Sequence, residues 1–97
     1  MHMGVTKIQL QPDKVDEAIR IYQDSVVPML KQQPGFRSMH LAVDRASGVG
    51  MAIALWENED AARAFGTSAA FQADVAKFAA VSAAPPVREV YEVAVSA

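Results

Sequence analysis

Two extended runs, Phe36 to Asp44 and Gly50 to Glu57, flank the turn-forming stretch Arg45-Ala46-Ser47-Gly48-Val49, and apolar residues fall at odd and even positions of both alike. Successive side chains of a strand point to opposite faces, so a hairpin built from these runs has no polar face. With the turn centred near Ser47, His40 stands opposite Ala54 and Ser38 opposite Trp56. One face then carries Ser38, His40, Ala42, Ala52, Ala54 and Trp56, and the other carries Met39, Leu41, Val43, Met51, Ile53 and Leu55. A slip of one residue exchanges residues between the faces, yet still leaves an apolar surface in need of cover.

The rest of the chain says what provides that cover. Met3 to Leu10 is short, partly β-branched and closed by Gln11-Pro12, which reads as a strand. From Asp13 the period changes: Val15, Ile19, Tyr22, Val26 and Leu30 mark one stripe of an amphipathic helix. Pro28 should kink its last turn, and Gln33-Pro34-Gly35 should stop it. After the hairpin, Asn58 reads as an N-cap with Glu59 and Asp60 at the positive end of a helix dipole. That helix is interrupted at Gly66-Thr67-Ser68 and resumes with Phe71, Val75 and Phe78 at helical spacing, ending at Ala83-Ala84-Pro85-Pro86. Val87 to Val95 alternates and supplies the last strand. The order β-α-β-β-α-β predicts an α+β ferredoxin-like fold, with four antiparallel strands and helices on one face, as a single domain over residues 1–97.

Two helices cover only one side of such a sheet. The aliphatic residues of the other side would form a water-exposed patch of the size that marks an interface, each stabilising a contact by about 1.5–3 kcal/mol when buried. A homodimer packed sheet on sheet is therefore expected. Composition narrows the partners further. The net charge of -2 argues against binding nucleic acid by bulk electrostatics, and the absence of cysteine excludes disulfides, thiolate nucleophiles and cysteine-ligated metals. No long apolar run announces a leader or a membrane span, so the expectation is a soluble cytoplasmic domain.

The face expected to carry Ala42, Ala52 and Ala54 takes up little volume, and Trp56, Tyr22, Phe65, Phe71 and Phe78 could rim the space. With Ser38 and His40 as polar groups this makes a hollow suited to a small molecule; close packing of helices on small strand residues is the competing account. No phosphate loop, zinc-protease motif, nucleophile elbow or calcium loop is present. His40 is the candidate catalytic base, because imidazole titrates near neutrality, although a lone strand histidine also serves as a structural hydrogen-bonding group.

The segments Pro34-Gly35-Phe36, Asp44-Arg45-Ala46-Ser47-Gly48, Leu55-Trp56-Glu57-Asn58-Glu59-Asp60-Ala61 and Ser68-Ala69-Ala70-Phe71 resemble the antibiotic-biosynthesis monooxygenase superfamily. The resemblance spans nearly the whole chain. It implies a dimeric α+β barrel and cofactor-independent oxidation of a small aromatic or quinol-type compound. It extends to the superfamily's haem-degrading branch less well, because Thr6, Phe65 and Val75 stand where that branch carries asparagine, tryptophan and an axial histidine. In the aromatic-polyketide branch Trp56 is retained, Ala52 takes the place of an asparagine, and the helical arginine falls near Ala76, beside Lys77. A non-catalytic ligand-binding dimer of the same fold is the alternative, with no cofactor in either case.

Overall fold

A computed structural model describes all 97 residues of the chain. Strand β1 (His2–Leu10) buries Gly4, Ile8 and Leu10 on one side, the period-two pattern of a strand covered on a single face. A 3₁₀ turn at Pro12–Lys14 leads into α1 (Val15–Ile21), a π-helical turn over Tyr22–Val26, and α2 (Val27–Leu30). Val15, Ala18, Tyr22, Val26 and Leu30 form the buried stripe. The π turn has a local cause. Pro28 lacks an N–H and its ring would crowd the carbonyl four residues back in a regular helix. The ladder instead widens ahead of it, and the Val27 N–H donates to the Tyr22 carbonyl.

Strands β2 (Phe36–Val43) and β3 (Val49–Trp56) form the hairpin. All four strands run antiparallel in the order β2-β3-β1-β4, with the helices on one face, the ferredoxin-like α+β arrangement. The hairpin register departs from the expected one. Asp44 closes the turn: its N–H donates to Val49 O at 2.8 Å, and its carboxylate accepts from the Ala46 N–H at 3.1 Å and the Ser47 hydroxyl at 3.0 Å. Gly48, at φ +78°, completes the reversal in the left-handed region that glycine enters without strain. Met39 therefore pairs with Ala54, His40 with Ile53 and Ser38 with Leu55.

This one-residue shift exchanges faces. Met39, Leu41 and Val43 join Gly50, Ala52, Ala54 and Trp56 beneath the helices, while Ser38, His40 and Ala42 lie with Met51, Ile53 and Leu55 on the outer face. A bulge between Phe36 and Ser38 then returns Phe36 to Trp56, and their rings meet edge to face at 5.7 Å.

Helix α3 (Glu59–Gly66) starts at Asn58, whose side-chain oxygen accepts from the Ala61 N–H at 2.9 Å. Ser68 caps α4 (Ala69–Phe78) in the same way, accepting from the Phe71 N–H at 3.1 Å. The Ala83-Ala84-Pro85-Pro86 stretch does not terminate this helix, which ends at Phe78; it belongs to β4 (Ser82–Glu92). Two register shifts against β1 absorb the prolines, and β4 is an edge strand, so one side of its ladder needs no donors. No helix is long and apolar enough to cross a membrane.

Candidate functional site

The inner sheet face is floored by residues too small to fill the space under the helices. Gly4 pairs with Ala54 and Thr6 with Ala52, so the middle of the β1–β3 ladder is low. Above it lies a partly open, mostly apolar hollow, whose empty space of about 620 Å³ includes the solvent at its mouth. Tyr22, Val26 and Leu30 wall it from the first helical segment, Phe65 from α3, and Phe71, Asp74, Val75 and Phe78 from α4. Ser82, Pro86 and Arg88 close the β4 side. The aromatic walls brace one another: Tyr22 and Phe78 lie 4.8 Å apart between centroids, and Phe65 and Phe71 meet edge to face at 5.6 Å.

Of the residues singled out in the sequence, Tyr22, Phe65, Phe71 and Phe78 are brought together around this hollow. Trp56 is not on its surface. It is fully buried one layer behind, stacked on Phe65 at 5.1 Å, with its indole N–H unpartnered. Ser38 and His40 are placed on the opposite face of the sheet by the hairpin register, and His40 is solvent-exposed there. The expectation that these two line the hollow is corrected accordingly: a group at His40 faces away from anything held under the helices.

Two charged residues that sequence reasoning passed over stand in the hollow instead. Asp74 is 7% exposed, and its carboxylate has no hydrogen-bond or ion-pair partner in the chain. Burial pushes its pKa up to about 6, with Lys77 opposing the rise. Tyr22 is raised as well, by burial first and by the Asp74 charge second, so its phenol stays protonated at neutral pH. Arg88 reaches inward from β4 and donates to the Ala62 carbonyl at 2.8 Å. Burial lowers its pKa, and the like charge of Arg63 adds to the effect.

Both carried a signal. Asp74 falls three residues after Phe71 and four before Phe78, on the buried stripe of an alanine-rich helix. Arg88 shares strand parity with Pro86 and Val90, which face inward. No cluster of three or more metal-ligating side chains is present.

The family model described as Antibiotic biosynthesis monooxygenase matches residues 1–77. The chain belongs to this family. Among solved structures, it superposes on a monooxygenase from the ActVA-Orf6 gene of Streptomyces coelicolor, in complex with nanaomycin D, with a TM-score of 0.82. Identity there is 17%, over 99% of this chain and 89% of that one. A variant of SnoaB, a cofactor-independent oxygenase from Streptomyces nogalater, superposes with a TM-score of 0.73 at 18% identity, over 98% and 94% of the two chains. These superpositions show a shared fold.

The uncharacterized proteins MT2634 and Rv2557 of Mycobacterium tuberculosis are each 38% identical over 56 residues, or 58% of this chain. The chain spans only 25% of the length of these curated relatives.

Proposed function

We propose that this family member is a cofactor-independent monooxygenase that oxidises a small hydroxylated aromatic compound in the hollow beneath the helices. The observation that carries the reading is the partnerless Asp74 carboxylate facing an aromatic-walled space. Flavin-free and metal-free reaction with dioxygen requires an electron-rich substrate anion, so the protein must remove a proton and enclose the product of that step. With a pKa near 6, Asp74 is ionised at neutral pH yet more basic than an ordinary aspartate, which suits it to accept a phenolic or enolic proton. The substrate anion then reduces dioxygen. At a ring carbon bearing one hydrogen and conjugated to the hydroxyl, one oxygen atom becomes a new carbonyl, the hydroxyl carbon becomes the second, and the other oxygen leaves as water with the ring hydrogen and the proton that Asp74 took.

A homodimer through the outer sheet face belongs to the same reading. Across that face, His40, Ile53, Val5 and Glu89 share one row of the ladder, and Ser38, Leu55, Met3 and Tyr91 another. In these two rows large apolar side chains occupy the central strands and polar ones lie toward the edges, the arrangement of an interface core and its rim, while the next row sets Lys7 between Met51 and Val87.

A non-catalytic binding dimer is the second reading. It is favoured by Ala52, which lines the hollow where the resemblance to the polyketide-oxidising branch places an asparagine. Oxygen-electrode traces with a panel of hydroquinones and anthrones separate the two. Monooxygenation predicts enzyme-dependent oxygen uptake that Asp74→Asn slows by about 10²–10⁴-fold. Saturable binding with no oxygen uptake would establish the second reading.

A further inference from the structure

Arg88 occupies a socket built for a guanidinium. Its side chain passes between Gly4 of β1 and Gly66 at the end of α3, and its guanidinium carbon lies 5.6 Å from the Phe65 ring centre and 5.7 Å from that of Phe71. A methyl group at Gly4 would stand 2.6 Å from Nη2, and one at Gly66 would run into Nη1. Neither glycine has a positive φ, so it is the room for Arg88, rather than any backbone requirement, that a side chain there would remove.

This half-buried cation has no counterion. Every ion pair of the chain involves other residues, the Ala62 carbonyl is its one hydrogen-bond acceptor, and the charge that acts on it most directly is the like charge of Arg63. Desolvating a charge without a partner is costly, and a ligand that supplies the missing charge recovers that cost.

The Trp56 Nε1–H lies within about 6 Å of Arg88 Nη2, but it is fully buried behind the wall of the hollow and brings no negative charge to the guanidinium. No protein carboxylate meets the Arg88 guanidinium. The planar fork of an arginine matches the two oxygens of a carboxylate, which is also ionised throughout the physiological range.

We propose that Arg88 receives a carboxylate on the aromatic ligand, which narrows the substrate class to hydroxylated aromatic carboxylates. The inference rests on reading the hollow as an aromatic-ligand site. Phe65 and Phe71 then pack against the ring system while Arg88 fixes one end of it, and the hydroxyl is left to face Asp74.

Calorimetric titration of the full chain with hydroxynaphthoate, and with naphthol lacking the carboxylate, tests this. Wild-type protein should bind hydroxynaphthoate roughly tenfold to a hundredfold more tightly than naphthol. Arg88→Gln should abolish that preference by weakening hydroxynaphthoate alone, with naphthol affinity held within about twofold, and Arg88→Lys should keep only part of it. If Arg88→Gln fails to fold, the wild-type preference and Arg88→Lys still decide the matter. Naphthol binding without a preference for the carboxylate, or equal loss of both compounds in Arg88→Gln, overturns the anchor and leaves the hollow standing. If neither compound binds the wild-type chain, the hollow itself has been misread and the anchor falls with it.

Discussion

The two faces of one four-stranded sheet have opposite characters. Under the helices, the β1–β3 ladder pairs Gly4 with Ala54 and Thr6 with Ala52; on the outer side, the same strands pair Met3 with Leu55, Val5 with Ile53 and Lys7 with Met51. Both faces are largely apolar, so hydrophobicity alone does not distinguish them. Volume does. Small residues beneath a helical layer leave a hollow walled by aromatic rings, whereas large aliphatic residues on an uncovered face make a surface that gains by meeting another surface.

The largest effect should follow from placing a charge at the centre of the outer face. Ile53 sits between Val5 and His40 in its row of the sheet. In the proposed two-fold dimer Ile53→Glu introduces its charge twice, and association should weaken by at least about a hundredfold. Sedimentation across a concentration series reads this directly. A variant that associates as the wild type does would remove the outer face as the interface and end the contrast drawn here.

The inner face answers to bulk rather than charge. Ala54→Leu raises the floor of the hollow, which should weaken binding of a hydroxylated arene by about tenfold or more, at a stability cost of about 1–3 kcal/mol if the extra carbons are tight. Subunit association should not change. Titration and sedimentation on the same sample sharpen the comparison, because each face should respond in only one of them.

Asp74 gives a smaller effect with a definite pH signature. Its folded-state pKa is raised from 3.8 to about 6, so between those values the unfolded chain releases its proton first and folding becomes less favourable as pH rises. Below about pH 4 both states are protonated and the effect vanishes; above about pH 6 it is complete. Asp74→Asn should therefore stabilise the protein by about 1–2 kcal/mol above pH 6, after allowance for water in the hollow, and leave it unchanged near pH 4. Denaturant melts at the two pH values check the sign. A stabilisation independent of pH would mean that Asp74 is not the buried, partnerless acid described here.

The architecture was legible because it is written in periods: steps of three and four in the helices, steps of two in the strands, and a serine or asparagine at each later helix start. The assignment of faces was not. It turns on whether the turn pairs residue 44 with 49 or with 50, and that is decided by Asp44, whose backbone and carboxylate together close the reversal. A single residue of register moved Ser38 and His40 away from the hollow, brought Met39 to its wall, and placed Leu41 and Val43 beneath the helices. Pro85 and Pro86 hid the start of β4 in a similar way, since proline argues against a strand unless the strand is known to lie at an edge. Asp74 and Arg88 were passed over because charges on an alanine-rich helix and an alternating strand read as solvated until packing shows which side they face.

The smallest expected effect is at His40, and its value lies in being small. His40 is exposed, sits on edge strand β2, and pairs across to Ile53 on the side of the sheet away from Tyr22, Asp74 and Arg88. If the sheet separates the two faces as described, His40→Ala should change arene affinity in the hollow by less than about twofold and stability by no more than about 0.5 kcal/mol, the range of surface substitutions away from special features. A loss of ligand binding or of oxygen uptake without any change in association would show that chemistry crosses the sheet. The inner face could then no longer be treated as a complete site, and the contrast between a binding face and an assembling face would have to be redrawn around the imidazole.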